Sequence, residues 1–291
     1  MTFGQKRYEE INQLLNAKFK EKQVLICAHR GSWHGNVTQN TTMAYKAAIM
    51  QGADIVETDT TASVDGEVFS IHDGVEPRIF GWNRNSAHLT ADQISSFSPL
   101  NSLGEPSSHH VQRLEEVLDF VRNGTLINID RTWRAAGKVP SLLDRYPYML
   151  QQAILKAPLS HREILEQLES HPKKYMFMPI CYSLADVDAA LAYNDLNIVG
   201  IELIAFSNED ELFRDEAIRY IHSKNLFTWV NALTLTDVGH YKPLYGDLDD
   251  DISILEGPER GWGRLFDKQI DVIQTDWPAL VKNYRQVRLG T

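Results

Sequence analysis

Cysteine is almost missing from this chain of 291 residues. Only Cys27 and Cys181 are present, too few for a disulfide framework or a thiolate zinc site. Cys27 sits inside an apolar run and reads as a buried thiol. Positive charge is scarce too. Lys plus Arg total 29 against 39 for Asp plus Glu, so the formal charge is 29 − 39 = −10, which argues against an unaided grip on nucleic acid or an anionic membrane. No window approaches the roughly 18 apolar residues that a spanning helix needs, and the opening MTFGQKRYEE has no apolar signal core. The expectation is a cytoplasmic protein without stable membrane insertion. A secreted or periplasmic address stays open, because a trimmed signal peptide leaves no trace. A Gly-rich phosphate loop is also lacking after every strand-like run, which counts against a doubly wound open sheet.

What the chain does have is apolar material, 43% of its residues, arranged in regular alternation. Ile11, Leu14, Leu15 and Phe19 at helical spacing predict an amphipathic helix within residues 1–22, lying across one end of the fold. Val24 to Ala28 then reads as a strand buried on both faces, and Asn40 or Thr41 caps a helix closed by Gly52. Further strands are predicted at 54–59, 125–130, 151–155, 175–180, 197–203, 226–231 and 270–275, most of them followed by a helical pattern. Eight βα units without a linker or composition shift predict one α/β domain over 1–291, a closed (β/α)8 TIM barrel. Residues 74–113 break this alternation. They read as an irregular insertion after the second strand, perched over the C-terminal rim.

The chemistry gathers around Ala53 to Asp73. Glu57 and Asp59, two apart on a strand, share one face, and Asp65-Gly66 between strand-like runs signals a two-residue hairpin turn. Pairing outward from that turn sets Val64 against Glu67, Ala62 against Phe69, and Asp59 against His72. Taken alone, such a trio also suits a solvated strand edge. Parallel barrel strands, however, bring their C-terminal ends to one rim, which adds His29, Arg30, Asp130, Arg131, Lys156, Tyr182, Glu202, Asn231 and Asp276. Glu57, Asp59 and Asp130 could supply three oxygens to one hard divalent ion, Mg²⁺ or Ca²⁺. His29 and His72 beside that ion fit an acid/base pair for cleaving a phosphate ester, with Arg30 holding the phosphoryl oxygens. Lys156 reads as a phosphate clamp or a surface Lys. Glu202 is a further rim acid or half of a buried ion pair. Trp33, Trp133, Trp229 and Trp277 follow strand ends closely and either line a pocket or pack. The expected pocket set is Glu202, Trp229 and Asn231.

The order of these motifs resembles the glycerophosphodiester phosphodiesterase family. It runs His29-Arg30-Gly31, Asn40-Thr41 at a helix start, Gly52-Ala53-Asp54-x-x-Glu57-x-Asp59, Asp65-Gly66 and His72-Asp73. Leu114 to Leu118, Asn128-Ile129-Asp130, Thr228 to Asn231 and Ile273 to Pro278 follow in order. The resemblance spans about residues 24 to 282. It implies a phospholipase-C-like barrel that hydrolyses glycerophosphodiesters, or a related small phosphodiester, to glycerol 3-phosphate and an alcohol. By carry-over, His29 and His72 are the acid/base pair, Glu57, Asp59 and Asp130 the ligands of one divalent metal, and Arg30 a phosphate contact. Thr38-Gln39 stands where the family usually has Pro-Glu. Asp130 and Thr132 stand where it usually has Glu and Lys, a lost charge that Lys156 or Arg131 is placed to replace. Two other readings are a lyase that releases a cyclic phosphate and a barrel that binds a phosphorylated ligand without turnover. Oligomeric state is not legible.

Overall fold

The computed structural model describes residues 2–81, 83–135, 137–237 and 240–291. Eight parallel strands carry the fold: β1 (Leu25–Ala28), β2 (Ile55–Asp59), β3 (Leu126–Asp130), β4 (Ala153–Pro158), β5 (Met176–Cys181), β6 (Gly200–Leu203), β7 (Phe227–Asn231) and β8 (Val272–Thr275). They pair in the order β4-β3-β2-β1-β8-β7-β6-β5, and β4 also pairs with β5, so the sheet closes into a barrel. Asn197–Ile198 extends the sixth position at its lower end, against Met176 and Phe177.

Alternation along each strand divides two cores. Ile26, Val56, Ile127, Leu155 and Ile273 face outward onto the surrounding helices. Leu25, Cys27, Ile55, Leu126, Ile154, Met178, Trp229 and Val272 fill the barrel interior. The N-terminal segment closes the bottom, as its periodicity predicts. Helix Gln13–Lys22 buries Leu15 and Phe19, and the Phe19 ring lies 4.7 Å from Phe3 and 5.5 Å from Phe227. Helix Thr42–Gln51 begins at Thr41, whose hydroxyl accepts from Ala44 N at 3.3 Å, and ends at Gly52 in the left-handed conformation. Among the described residues no helix is long and apolar enough to cross a membrane.

Three local expectations are corrected. The hairpin does not turn on two residues: Thr61 pairs with Phe69 and Ala62 with Val68, one step off the predicted register. Ser63 N bonds Glu67 O at 2.9 Å and Gly66 takes φ +95°, so the loop is Val64-Asp65-Gly66, a three-residue loop with its glycine left-handed. His72 therefore lies beyond the hairpin ladder and reaches the rim on a loop. The fourth strand starts two residues late, because Gln151 and Gln152 end a short helix (Met149–Gln152). The Gln152 amide donates to Val121 O and Thr125 O below the barrel, at 2.5 and 2.7 Å. The strand then runs on to Pro158, and Lys156 falls inside it rather than after its end. Third, the insertion is more regular than its composition suggests. Helices Glu76–Phe80 and Ala91–Ser95 enclose a small core of their own, including Phe69, Ile71, Ile79, Phe80 and Ile94.

Candidate functional site

The same inward periodicity that fills the lower barrel with apolar side chains places polar ones in its upper layers. Glu57 and Asp59 lie in register with Asn128 and Asp130 on β3, so three carboxylates meet at one end of the interior. One oxygen from each of Glu57, Asp59 and Asp130 lies within 4.8 Å of the others, close enough to hold a metal ion. Burial above all pushes the Glu57 carboxyl well up, and the charges of Asp59 and Asp130 add to this. Burial pushes Asp59 up as well, but Arg30, His72, Asn40 and His29 together outweigh it and hold Asp59 below the ordinary carboxylate range. The Asn128 side-chain oxygen, also buried, has no hydrogen-bond partner among the described residues.

His29 and Arg30 leave β1 at this edge. His29 Nδ1 donates to Asp276 Oδ1 at 2.9 Å, the tautomer being assigned from that bond, so Nε2 is the nitrogen left for the site. Arg30 takes φ +55°. Its backbone N donates to Glu57 Oε2 at 2.8 Å, its Nε lies 2.9 Å from Asp59 Oδ2, and its Nη1 donates to Gln39 Oε1 at 2.8 Å. Gln39, the second residue of the Thr38-Gln39 pair, thus contacts Arg30 directly. Asn40 braces Asp59 twice: Nδ2 donates to Oδ2 at 2.9 Å, and Oδ1 accepts from the Asp59 N at 3.2 Å. His72 donates from Nδ1 to Asp73 O at 2.9 Å, and its Nε2 faces Arg131 Nη1 at 3.3 Å. Burial first, then Arg30 and Arg131, lower the His72 pKa against the pull of Asp59. Arg131 also pairs with Asp73, and like Arg30 it follows a barrel strand with positive φ, here +58°.

Lys156, expected at the rim, is only 2% exposed. Its ammonium lies 2.8 Å from Asp130 Oδ2 and 2.8 Å from Glu202 Oε2. Burial pulls the Lys156 pKa down, and Asp130, Glu202 and Glu57 more than reverse it. Thr132, at the position where Lys is usual, donates its hydroxyl to Lys156 O at 2.7 Å. Glu202, Trp229 and Asn231, expected to line a pocket, are all buried and form the floor beneath. Asn231 Nδ2 donates to Glu202 Oε1 at 2.9 Å, and Trp229 Nε1 donates to Asn231 Oδ1 and Gln274 Oε1 at 3.2 and 3.1 Å. Of the other tryptophans, Trp33 and Trp277 each stack on His34, and Trp133 stacks on His161.

Sequence reasoning placed Asp276 on the rim without giving it a partner, and it missed Asp250 altogether. Asp250 begins a helix (Asp250–Leu255) in a stretch whose periodicity suggested nothing. Its carboxylate accepts from Thr275 Oγ1 at 2.8 Å, Asp276 N at 2.9 Å and Trp262 Nε1 at 2.8 Å, and so fixes the residue that holds His29. A buried acid flanked by other acids, Asp249-Asp250-Asp251, leaves no signal of its own in the sequence.

Residues 29–146 match the sequence model of the glycerophosphoryl diester phosphodiesterase family. A second model, described only as a domain of unknown function, matches residues 177–285. A glycerophosphodiester phosphodiesterase of Bacillus altitudinis is 28% identical over 146 residues, 49% of this chain and 55% of that protein. Another, from Caldanaerobacter subterraneus, is 30% identical over 110 residues, 37% of this chain and 45% of that protein. The chain thus spans about half the length of the curated relatives it matches. Among solved structures, a glycerophosphoryl diester phosphodiesterase from Parabacteroides distasonis superposes with a TM-score of 0.68 at 16% identity, over 91% of this chain and 87% of that one. An Oleispira antarctica phosphodiesterase, solved with its product sn-glycerol-3-phosphate, gives 0.63 at 13% identity, over 89% and 95%. At such identities the superpositions establish the barrel fold.

Proposed function

We propose that this chain is a member of the glycerophosphoryl diester phosphodiesterase family and hydrolyses a glycerophosphodiester or a related small phosphodiester to glycerol 3-phosphate and an alcohol. The observation that carries the reading is the meeting of Glu57, Asp59 and Asp130 with two oriented histidines and Arg30 at the C-terminal end of a closed barrel. The Oleispira enzyme's product supports a glycerol phosphate as the moiety released.

Hard carboxylate oxygens suit one Mg²⁺ or Ca²⁺. The charges gathered there also suit it. With every carboxylate ionised, Glu57, Asp59, Asp130 and Glu202 would carry four negative charges against the two positive charges of Arg30 and Lys156, and 4 − 2 leaves two for a divalent cation to neutralise. Bound there, the ion would polarise a phosphoryl oxygen. Arg30 is the proposed phosphate contact, and Lys156 adds its charge from beneath. His72, its pKa lowered by burial, is suited to take a proton at Nε2 from the attacking oxygen once that oxygen displaces the Arg131 N–H now facing this nitrogen. His29, whose Nδ1 proton is held by Asp276, can carry positive charge against that carboxylate and deliver a proton from Nε2 to the leaving oxygen.

Turnover of glycerophosphocholine or glycerophosphoethanolamine should vanish with chelator, and fall by about 100-fold or more in His29→Ala and His72→Ala. Full activity in both variants would sink the reading. Phosphorus NMR of the products decides against simple hydrolysis if a cyclic phosphate accumulates and persists.

A further inference from the structure

Asp130 is the member of the acid trio with both carboxylate oxygens engaged among the described residues. Oδ1 accepts from Arg131 N at 2.6 Å, and Oδ2 lies 2.8 Å from the Lys156 ammonium. Among the described residues Glu57 and Asp59 make no such contact with a lysine. The ammonium has a second anion equally near, Glu202 Oε2, and Glu202 is itself braced by Asn231 from the next strand. Lys156 is thus an internal cation suspended between a carboxylate of the trio and one outside it.

We infer that Lys156 and Glu202 are positioning residues that set the strength of the metal site: Lys156 competes with the ion for Asp130, and Glu202 draws Lys156 away from it. The inference rests on the metal reading proposed above. Two like charges bidding for one carboxylate oppose each other by Coulomb repulsion, and in a buried setting that opposition is weakly screened. Partners of this kind commonly shift metal affinity by one or two orders of magnitude. The arrangement makes an unusual demand, because the two members of one ion pair must act on the ion in opposite directions. Neutralising Glu202 leaves the ammonium wholly to Asp130 and weakens binding. Neutralising Lys156 frees Asp130 and strengthens it. A purely structural role for the pair predicts loss in both cases.

The test is calorimetric titration of Ca²⁺, and separately Mg²⁺, into the chelator-stripped full chain and its variants, with circular dichroism and thermal melting to confirm folding. Glu202→Gln should bind about tenfold more weakly or worse, and Lys156→Met should bind more tightly by about the same factor. If Lys156→Met does not fold, Lys156→Gln, which retains a polar head for Glu202, takes its place with the same expected direction. Weakening in both Glu202→Gln and the Lys156 variant overturns the proposal, and so does an unchanged affinity in both. If the unmodified protein binds neither ion, the metal reading fails and takes the proposal with it. That outcome differs from failure of the positioning role alone, in which the unmodified protein binds and the variants do not diverge.

Discussion

At the scale of single residues, the site depends on backbone that few residues tolerate. Gly31 has φ +80°, and a Cβ there would lie 2.6 Å from the backbone carbon of Ala44 on the capped helix. The strand end, Arg30 and that helix are thereby locked together. Gly31→Ala should cost about 2–4 kcal/mol in denaturant unfolding, through the left-handed conformation and the collision together. A midpoint within experimental error of the unmodified protein would contradict this. Asp250 offers a prediction in pH. Burial pushes its carboxyl up to about 7, despite donors that favour the charged form. The folded protein therefore holds this proton more tightly than the unfolded chain, where the carboxyl titrates near 3.8. The stability it contributes is complete below about pH 4 and is lost as pH rises toward 7. Asp250→Asn cannot lose that proton. Its unfolding free energy relative to the unmodified protein should rise across this window, by up to about 4 kcal/mol. A difference flat in pH between 4 and 7, measured by denaturation at each pH, would refute the assignment.

At the scale of elements, strand periodicity was the most legible feature, because a strand buried on both faces needs a continuous apolar run. All eight barrel strands lie where those runs predict. What escaped was phase: β4 begins at Ala153 because Gln152 is held below by two backbone carbonyls, and no local pattern announces that. The consequence reached the site, since Lys156 became an interior cation instead of a rim clamp. The hairpin failed similarly, since Asp65-Gly66 serves a two-residue and a three-residue loop equally well. Spacing found Glu57, Asp59 and Asp130, whose parity on adjacent strands is a property of sequence. It could not find the partnership of His29 with Asp276, which lies across the first and last strands and depends on barrel closure. Motif reading also mixed roles. Asp54, two residues past Gly52, accepts from Ile26 N and pairs with Arg285 of the C-terminal helix (Pro278–Leu289), at the lower end of β2. Stability and chemistry occupy opposite ends of the same strand, and variants should separate them. Phe19→Ala, at the lower end, should lose about 3–5 kcal/mol of stability while leaving turnover per folded molecule unchanged. Loss of turnover in a fully folded Phe19→Ala population would show that the two ends are coupled.

At the scale of the whole molecule, the barrel interior grades from apolar at its plugged base to charged at its open end. That gradient has an energetic consequence. The lower layers stabilise the fold by burial. The upper layers hold carboxylates whose burial first, and mutual repulsion second, raise the Glu57 pKa, beside a buried Lys156 that balances only part of it. Such a site opposes folding until something neutralises it, and a cation that binds the folded chain alone does so by mass action. Ca²⁺ or Mg²⁺ at 100 times its dissociation constant should stabilise the protein by about 2.7 kcal/mol. For a chain of 291 residues, that corresponds to a rise in melting temperature of about 4 °C. The same ions should do much less for Glu57→Gln, which keeps the shape of the site but removes the ligand charge. Scanning calorimetry in chelator and in each metal, on both proteins, makes the comparison. A melting temperature of the unmodified protein that ignores both ions would mean that the three carboxylates balance their charge by protonation, with Glu57 the group that takes up the proton.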